Sequence, residues 1–255
     1  MEKPSLFLVG IGISDERSLT LEGVFALKEC GAVFAESYTN LLPQGTIPRI
    51  ESLIGKKITR LSREQVEGER KLLASAAERP TALIVAGDPL IATTHVSLLL
   101  EAKKQGIAIR IIHASSILSA AICESGLQAY KFGKTATLAY WRNNYKPLSA
   151  YDTLAENLSR GAHTLLLLDI DEKLGPMKPS QASKTLLLME EKAKKGILSE
   201  ETRVVLLAAL GRENQKTAYL ALSGISSGEH DTSIPAAIII PGKLHFVEEE
   251  FLQSL

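Results

Sequence analysis

The sequence predicts an α/β fold in two domains, and three observations predict it. In the first half, short apolar runs alternate regularly with stretches of helical pattern, the rhythm of a largely parallel sheet with helices on both faces. Two of those runs empty into glycine-bearing turns: Leu6-Phe7-Leu8-Val9 into Gly10-Ile11-Gly12-Ile13, and Thr81-Ala82-Leu83-Ile84-Val85-Ala86 into Gly87-Asp88-Pro89. In the second half, apolar runs at Val204–Ala209, Ala218–Leu222 and Ala236–Ile240 lie close together without long helices between them, which suits mixed or antiparallel pairing. The domain boundary is expected near residue 120, giving domains 1–120 and 121–255, with no linker composition to mark it. Repeats and low-complexity segments are absent from the sequence.

Taken in order, strands are expected at Leu6–Gly10, Ala32–Ala35, Lys57–Leu61, Ala82–Ala86 and Ile107–Ile112, with helices between them. Thr20 is placed to cap a helix that ends before Gly31. Ser62 with Gln65 forms a capping box for a helix running to about Glu78. Thr94 is expected to cap the next helix, which carries Lys103 and Lys104 in its last turn and stops at Gly106, as the macrodipole and the C-cap rule prefer. Ile112-His113-Ala114-Ser115-Ser116-Ile117 is a third strand exit, where Ser115 or Ser116 caps a helix running to about Ser125. Beyond it, strands at Thr135–Tyr140 and Thr164–Asp169 flank a helix near Ser149–Arg160, and a long amphipathic helix spans about Ser180–Lys195 before Gly196.

Composition narrows the function. At 255 residues the chain is long enough for a sizeable core, and its apolar share of 45% is ordinary for a globular protein. The 29 basic and 29 acidic side chains cancel, which gives no electrostatic case for bulk nucleic-acid binding. The apolar runs fall short of the ~18 residues needed to span a bilayer. The N-terminal run reads as a strand rather than a signal peptide, because Ser14-Asp15-Glu16-Arg17 follows at once, so a cytoplasmic location is expected. Cys30 and Cys123 lack any paired spacing for zinc or redox work and are expected to be small buried hydrophobes.

Several familiar motifs fail on inspection. Gly10-Ile11-Gly12 invites a dinucleotide fingerprint, but the third glycine should fall at position 15, where Asp15 stands. Phe132-Gly133-Lys134-Thr135 resembles the end of a phosphate loop, but Gln128 occupies the required glycine position and a strand follows instead of a helix. His95, His113, His163, His230 and His245 show no metal-ligand spacing, and no Gly-x-Ser-x-Gly elbow exists. What remains are polar groups at strand exits: Asp88, His95, His113 and the cluster Glu36-Ser37-Tyr38-Thr39. Each also has a plain structural reading, since Asp before Pro closes turns by bonding its own backbone and a polar loop is often merely solvated. The residues alone point to an α/β protein that binds a nucleotide-like ligand at the carboxyl ends of its strands.

These segments, with Val9-Gly10-Ile11-Gly12-Ile13, Phe34-Ala35-Glu36-Ser37-Tyr38-Thr39, Leu61-Ser62-Arg63-Glu64 and Gly87-Asp88-Pro89-Leu90-Ile91-Ala92-Thr93-Thr94-His95 foremost, resemble the diphthine synthase branch of the tetrapyrrole methylase superfamily. Tyr130-Lys131-Phe132-Gly133-Lys134, the strand Thr164-Leu165-Leu166-Leu167-Leu168-Asp169-Ile170 and Pro241-Gly242-Lys243-Leu244-His245 extend the resemblance over essentially the whole chain. The resemblance implies a two-domain α/β methyltransferase with S-adenosyl-L-methionine in a cleft between the domains, and a homodimer. It implies, as substrate, a histidine of elongation factor 2 that carries a 3-amino-3-carboxypropyl group, methylated on its amine during diphthamide synthesis. The short form, without a long insertion after Ile170, resembles the archaeal type that trimethylates the amine. Carried over position by position, the cofactor contacts fall on Ile13, Asp88, Ile91, the pair Ser116 and Ile117, Leu168, Leu210 and Ala236. Membrane and direct nucleic-acid partners are not expected, nor is a metal.

The chain departs from the family pattern at three places. Ser115 stands where proline is usual, Ala236 replaces a frequent histidine, and Leu210-Gly211-Arg212 differs from the commoner Arg-Ala-Gly. The chemistry asks mainly that an amine lone pair be aligned behind an activated methyl. Glu36, His95 and His113 are placed by position to take the amine proton, as is solvent, and Lys131 or Lys243 to hold the substrate carboxylate. Alternative readings are a same-fold methyltransferase acting on a tetrapyrrole or an RNA, and a noncatalytic module that kept the fold.

Overall fold

The computed structural model describes residues 3–36, 41–68 and 70–255. The chain divides into two compact units, residues 1–117 and 118–255.

In the first unit the alternating pattern becomes β1 (Ser5–Gly10), α1 (Leu21–Glu29), β2 (Ala32–Glu36), α2 (Thr46–Ile54), β3 (Ile58–Leu61), α3 (Arg63–Glu67), α4 (Arg70–Glu78), β4 (Thr81–Val85), α5 (Val96–Lys104) and β5 (Ala108–Ile112). The strands form one sheet in the order β3-β2-β4-β1-β5, and every pairing in it is parallel. Strand side chains alternate between faces, so each face builds its own core. Val9, Ile84 and Ile112 pack with Leu27 and Ile50 on one face; Leu6, Leu8, Leu83 and Val85 pack with Leu72 and Leu98 on the other. The helix signals hold in detail at two places. Thr20 Oγ1 accepts the Gly23 N–H at 3.0 Å, and the Ser62–Gln65 box closes in both directions.

Two expectations are corrected here. The helix from Ser62 is two helices, because α3 ends at Gly68, whose N–H bonds Glu64 O. The helix after Asp88 starts one residue later than Thr94 predicts. His95 holds the cap position, makes no capping bond, and turns its ring inward.

The second unit contains α6 (Ile117–Ser125, begun by the last residue of the first unit), β6 (Ala136–Leu138), α7 (Ser149–Ser159), β7 (Thr164–Leu168), β8 (Ile170–Asp171), β9 (Gly175–Pro176), α8 (Pro179–Ala193), β10 (Arg203–Ala208), β11 (Lys216–Ala221), α9 (Leu222–Ser226), β12 (Ala236–Ile240) and α10 (Phe246–Gln253). Its five-stranded sheet runs β11-β10-β12-β7-β6; only β6 and β7 pair in parallel. Tyr151, Leu154, Leu166, Leu186, Leu206 and Ile238 form its core. The small hairpin β8–β9 and the short helix α9 carry no sequence signal strong enough to announce them. Cys30 is fully buried, as free cysteine usually is, but Cys123 is exposed, which corrects that expectation.

Candidate functional site

The strand exits of the first unit converge because β4, β1 and β5 are neighbours in the sheet. Gly12 and Gly87 form a two-way backbone bridge, Gly12 N–H to Gly87 O at 3.2 Å and Gly87 N–H to Gly12 O at 2.9 Å. Beside this bridge, glycine is required at position 10 by contact. A Cβ on Gly10 would stand 2.6 Å from the Gly87 carbonyl oxygen and 2.9 Å from Ala114 Cβ. Asp15, at the position a dinucleotide fingerprint reserves for glycine, instead starts a 3-10 turn at residues 16–18 and takes the Arg17 guanidinium on both oxygens. Hydrogen bonding from Arg17 holds the Asp15 carboxyl below its usual range.

Asp88 sits at this junction and is held by the β5 exit. Its Oδ2 accepts from His113 Nδ1 at 2.8 Å and from the Ala114 N–H at 3.3 Å. A carboxylate only accepts, so His113 carries its proton on Nδ1 and presents Nε2 outward; the imidazole is 73% exposed. His95 behaves oppositely. It is 2% exposed, with Nδ1 2.9 Å from the Pro89 carbonyl oxygen and Nε2 2.9 Å from Glu36 Oε2, itself 1% exposed. Of the three groups placed to take a proton, only His113 has a nitrogen facing solvent. Ser37, Tyr38 and Thr39 lie outside the described residues.

Main chain is accessible at the same place. Gly87 has φ +72°, and a Cβ built on it meets nothing within 4 Å, so a ligand can lie against the backbone beside Asp88. Ala92 follows with φ 54°, a left-handed conformation that costs about 1–3 kcal/mol for a residue with a Cβ. Such strain persists only where the surroundings over-determine it. Ile91 and Ile13 are half-buried here, Ser116 is 8% exposed, and Ile117 opens α6.

In the second unit the three carried-over positions share one end of the sheet. Leu168 closes β7, Ala236 opens the antiparallel β12, and Leu210 lies two residues beyond β10. Ala209 between them is fully buried with φ 51°, and its N–H donates to Pro235 O at 2.8 Å. Among the described residues only Ala92, Ala209 and Lys194 combine a side chain with positive φ, and Lys194 ends α8. The other two adjoin expected cofactor contacts. Sequence reasoning missed both, because alanine carries no turn signal.

Lys131 and Lys243 are not at that end. They line a cleft of about 500 Å3 with Arg160 and His245, beside the start of β7 and the end of β12, roughly 14 Å away along β12. Lys131 is tied to Glu248, which also accepts from the Gln128 and His245 N–H groups at 2.9 and 2.7 Å. His163, fully buried, takes the Gly242 N–H on Nδ1 and so faces Glu248 Oε1 with a protonated Nε2 at 3.2 Å. Burial pushes the Glu248 carboxyl up, but these donors outweigh it and bring it down to about 2. Burial likewise holds His163 below its usual value and so neutral. This end of the sheet is a staple between chain segments.

The described residues contain no group of three His, Cys, Asp or Glu able to hold a metal, and no helix among them is long and apolar enough to cross a membrane. The family described as "Tetrapyrrole (Corrin/Porphyrin) Methylases" matches residues 5–224. The chain is 42% identical to "Diphthine synthase" of Methanocaldococcus jannaschii, covering 98% of each. It is 40% identical to "Diphthine synthase" of Methanothermobacter thermautotrophicus, covering 98% of this chain and 95% of that protein. Among solved structures it is similar to a putative diphthine synthase from Entamoeba histolytica, with a TM-score of 0.89, 32% identity and 98% of both chains covered.

Proposed function

The chain belongs to the tetrapyrrole methylase family, and from that premise we propose the substrate, cofactor contacts and partners of its reaction. It is an S-adenosylmethionine-dependent methyltransferase of diphthamide biosynthesis. The acceptor is the amino group of the 3-amino-3-carboxypropyl-modified histidine of elongation factor 2, and the active form is a homodimer. The observation that carries this reading is similarity to diphthine synthases over 98% of this chain, at 40–42% identity.

The residues fit the cofactor. Gly87 leaves open main chain beside a carboxylate already held in place, which suits a ligand rich in hydroxyl and amine donors. Asp88 is its charged contact; Ile13, Ile91, Ser116 and Ile117 supply backbone and apolar wall in the first unit, and Leu168, Leu210 and Ala236 in the second. When bound, the sulfonium supplies an activated methyl, so the chain's own work is alignment and proton management. The amine must shed a proton before its lone pair attacks. His113 Nε2 accepts that proton, while Asp88 against Nδ1 orients the ring. The cations Lys131 and Lys243 belong to the far end of their sheet and take no part in holding the substrate carboxylate.

The test is methyl transfer from labelled S-adenosylmethionine to elongation factor 2 isolated from a strain lacking this gene, read by intact-peptide mass spectrometry. Methyls on the modified histidine are expected, three of them for the archaeal type. Cofactor binding without transfer would move the substrate elsewhere within the fold.

A further inference from the structure

We infer that Glu36 and His95 act as a positioning pair, locking the 87–95 loop in the shape that presents Asp88 and the open Gly87 backbone to the cofactor. The inference rests on the reading above that this loop holds S-adenosylmethionine. It starts from proton bookkeeping. The Pro89 carbonyl only accepts, so His95 Nδ1 carries a hydrogen, and that bond seizes the residue next to Asp88 at 2.9 Å. Nε2 stands 2.9 Å from Glu36 Oε2, a close contact between two buried groups. Both ring nitrogens are therefore committed, and neither faces solvent. His95 has no nitrogen left for chemistry.

Glu36 fixes the other side. It is the last residue of β2, which pairs with β4 through Ala35 and Ile84, so its backbone is set by the sheet rather than by the loop. The route from sheet to site is short: Glu36 to His95, His95 to the Pro89 carbonyl, and Pro89 to Asp88. Thr93 Oγ1 bonds the same carbonyl at 3.1 Å, and the Ile91 N–H returns to Asp88 O at 3.2 Å. These bonds enclose Ala92, whose left-handed backbone needs such support. Burying two ionisable groups at 1–2% exposure is costly, and apolar residues of similar size would fill the same space as well or better. Packing alone does not explain the pair. Orientation of the loop does.

The experiment separates packing from positioning by calorimetric titration of S-adenosylhomocysteine into the full chain, with thermal midpoints alongside. His95→Ala should weaken binding at least tenfold and raise KM for S-adenosylmethionine, leaving kcat at saturating cofactor within about threefold. The double variant Glu36→Leu/His95→Leu, apolar and close in volume, should recover stability while the affinity stays lost. His95→Asn, which keeps a donor toward Pro89 O, should bind within about threefold of wild type. Affinity that returns with stability in the double variant would overturn the inference, as would His95→Asn binding as poorly as His95→Ala. Where the alanine and leucine variants do not fold, His95→Asn decides alone. Failure of the wild type to bind S-adenosylhomocysteine would instead overturn the assignment of the cofactor itself.

Discussion

Each unit buries one histidine against one glutamate, and the two pairs do different work. In the first unit His95 and Glu36 stand where the parallel strands end, bonded through Pro89 to the loop that carries Asp88. In the second, His163 and Glu248 stand at the end of the sheet away from Leu168, Leu210 and Ala236, and gather the segments at Gln128, Gly242 and His245. The proton patterns differ accordingly. His95 donates from Nδ1 to a carbonyl, whereas His163 accepts a backbone N–H on Nδ1 and donates from Nε2. The same two side chains hold the 87–95 loop in one place and tie down α10 in the other, and only their backbone partners tell them apart.

The largest effect should come from the staple. Glu248→Ala leaves the Gln128 and His245 N–H groups, His163 and the Lys131 ammonium without their acceptor, and should cost about 3–5 kcal/mol in urea unfolding. Its affinity for S-adenosylhomocysteine, measured where it is fully folded, should match wild type; a joint loss would erase the distinction between the pairs. The next effect is on pH. Glu248 and Glu190 are both brought down to about 2 from 4.5, Glu190 by the Tyr151 hydroxyl and the N–H groups of Gly196, Leu198 and Ile197 against the upward push of burial. Folded-state values below the unfolded ones give stability that is present above pH 4.5 and lost as pH falls through about 2. The stability gap between wild type and Glu248→Gln should therefore close across that window, and a gap constant with pH would contradict the ionised hub.

Smaller effects probe the first unit. Gly87→Ala finds space for its methyl but must keep φ +72°, so it should cost about 1–2 kcal/mol in stability. It should also weaken S-adenosylhomocysteine about tenfold, because the methyl enters the space left for ligand; equal affinity would remove the open backbone from the site. Lys243→Ala should change neither quantity measurably, with affinity within twofold of wild type. A large rise in KM for the protein substrate would return that lysine to substrate recognition.

The sequence carried the strand exits plainly, because an apolar run stopped by Gly-Asp-Pro or Gly-x-Gly has few other uses in an α/β chain. Thr20 and the Ser62–Gln65 box were legible for the same reason: the signal is local and lies within a few residues. What stayed hidden is non-local. Nothing near His95 announces Glu36 as its partner across the sheet, and a threonine beside it made Thr94 the natural cap. Ala92 and Ala209 adopt left-handed backbone because their surroundings compel it, which alanine itself does not advertise. Lys131 and Lys243 are adjacent to no cofactor position in linear order, and only the antiparallel pairing of β12 with β7 reveals that they lie at the opposite end of the sheet from Leu168 and Ala236.

The proposed function makes Asp88 the charged contact of the cofactor. The direct measurement is calorimetric titration of S-adenosylhomocysteine into wild type and Asp88→Ala, with unfolding curves recorded on both. The expected result is at least a tenfold loss of affinity in a chain that remains folded. Unchanged affinity in the folded variant would contradict the account.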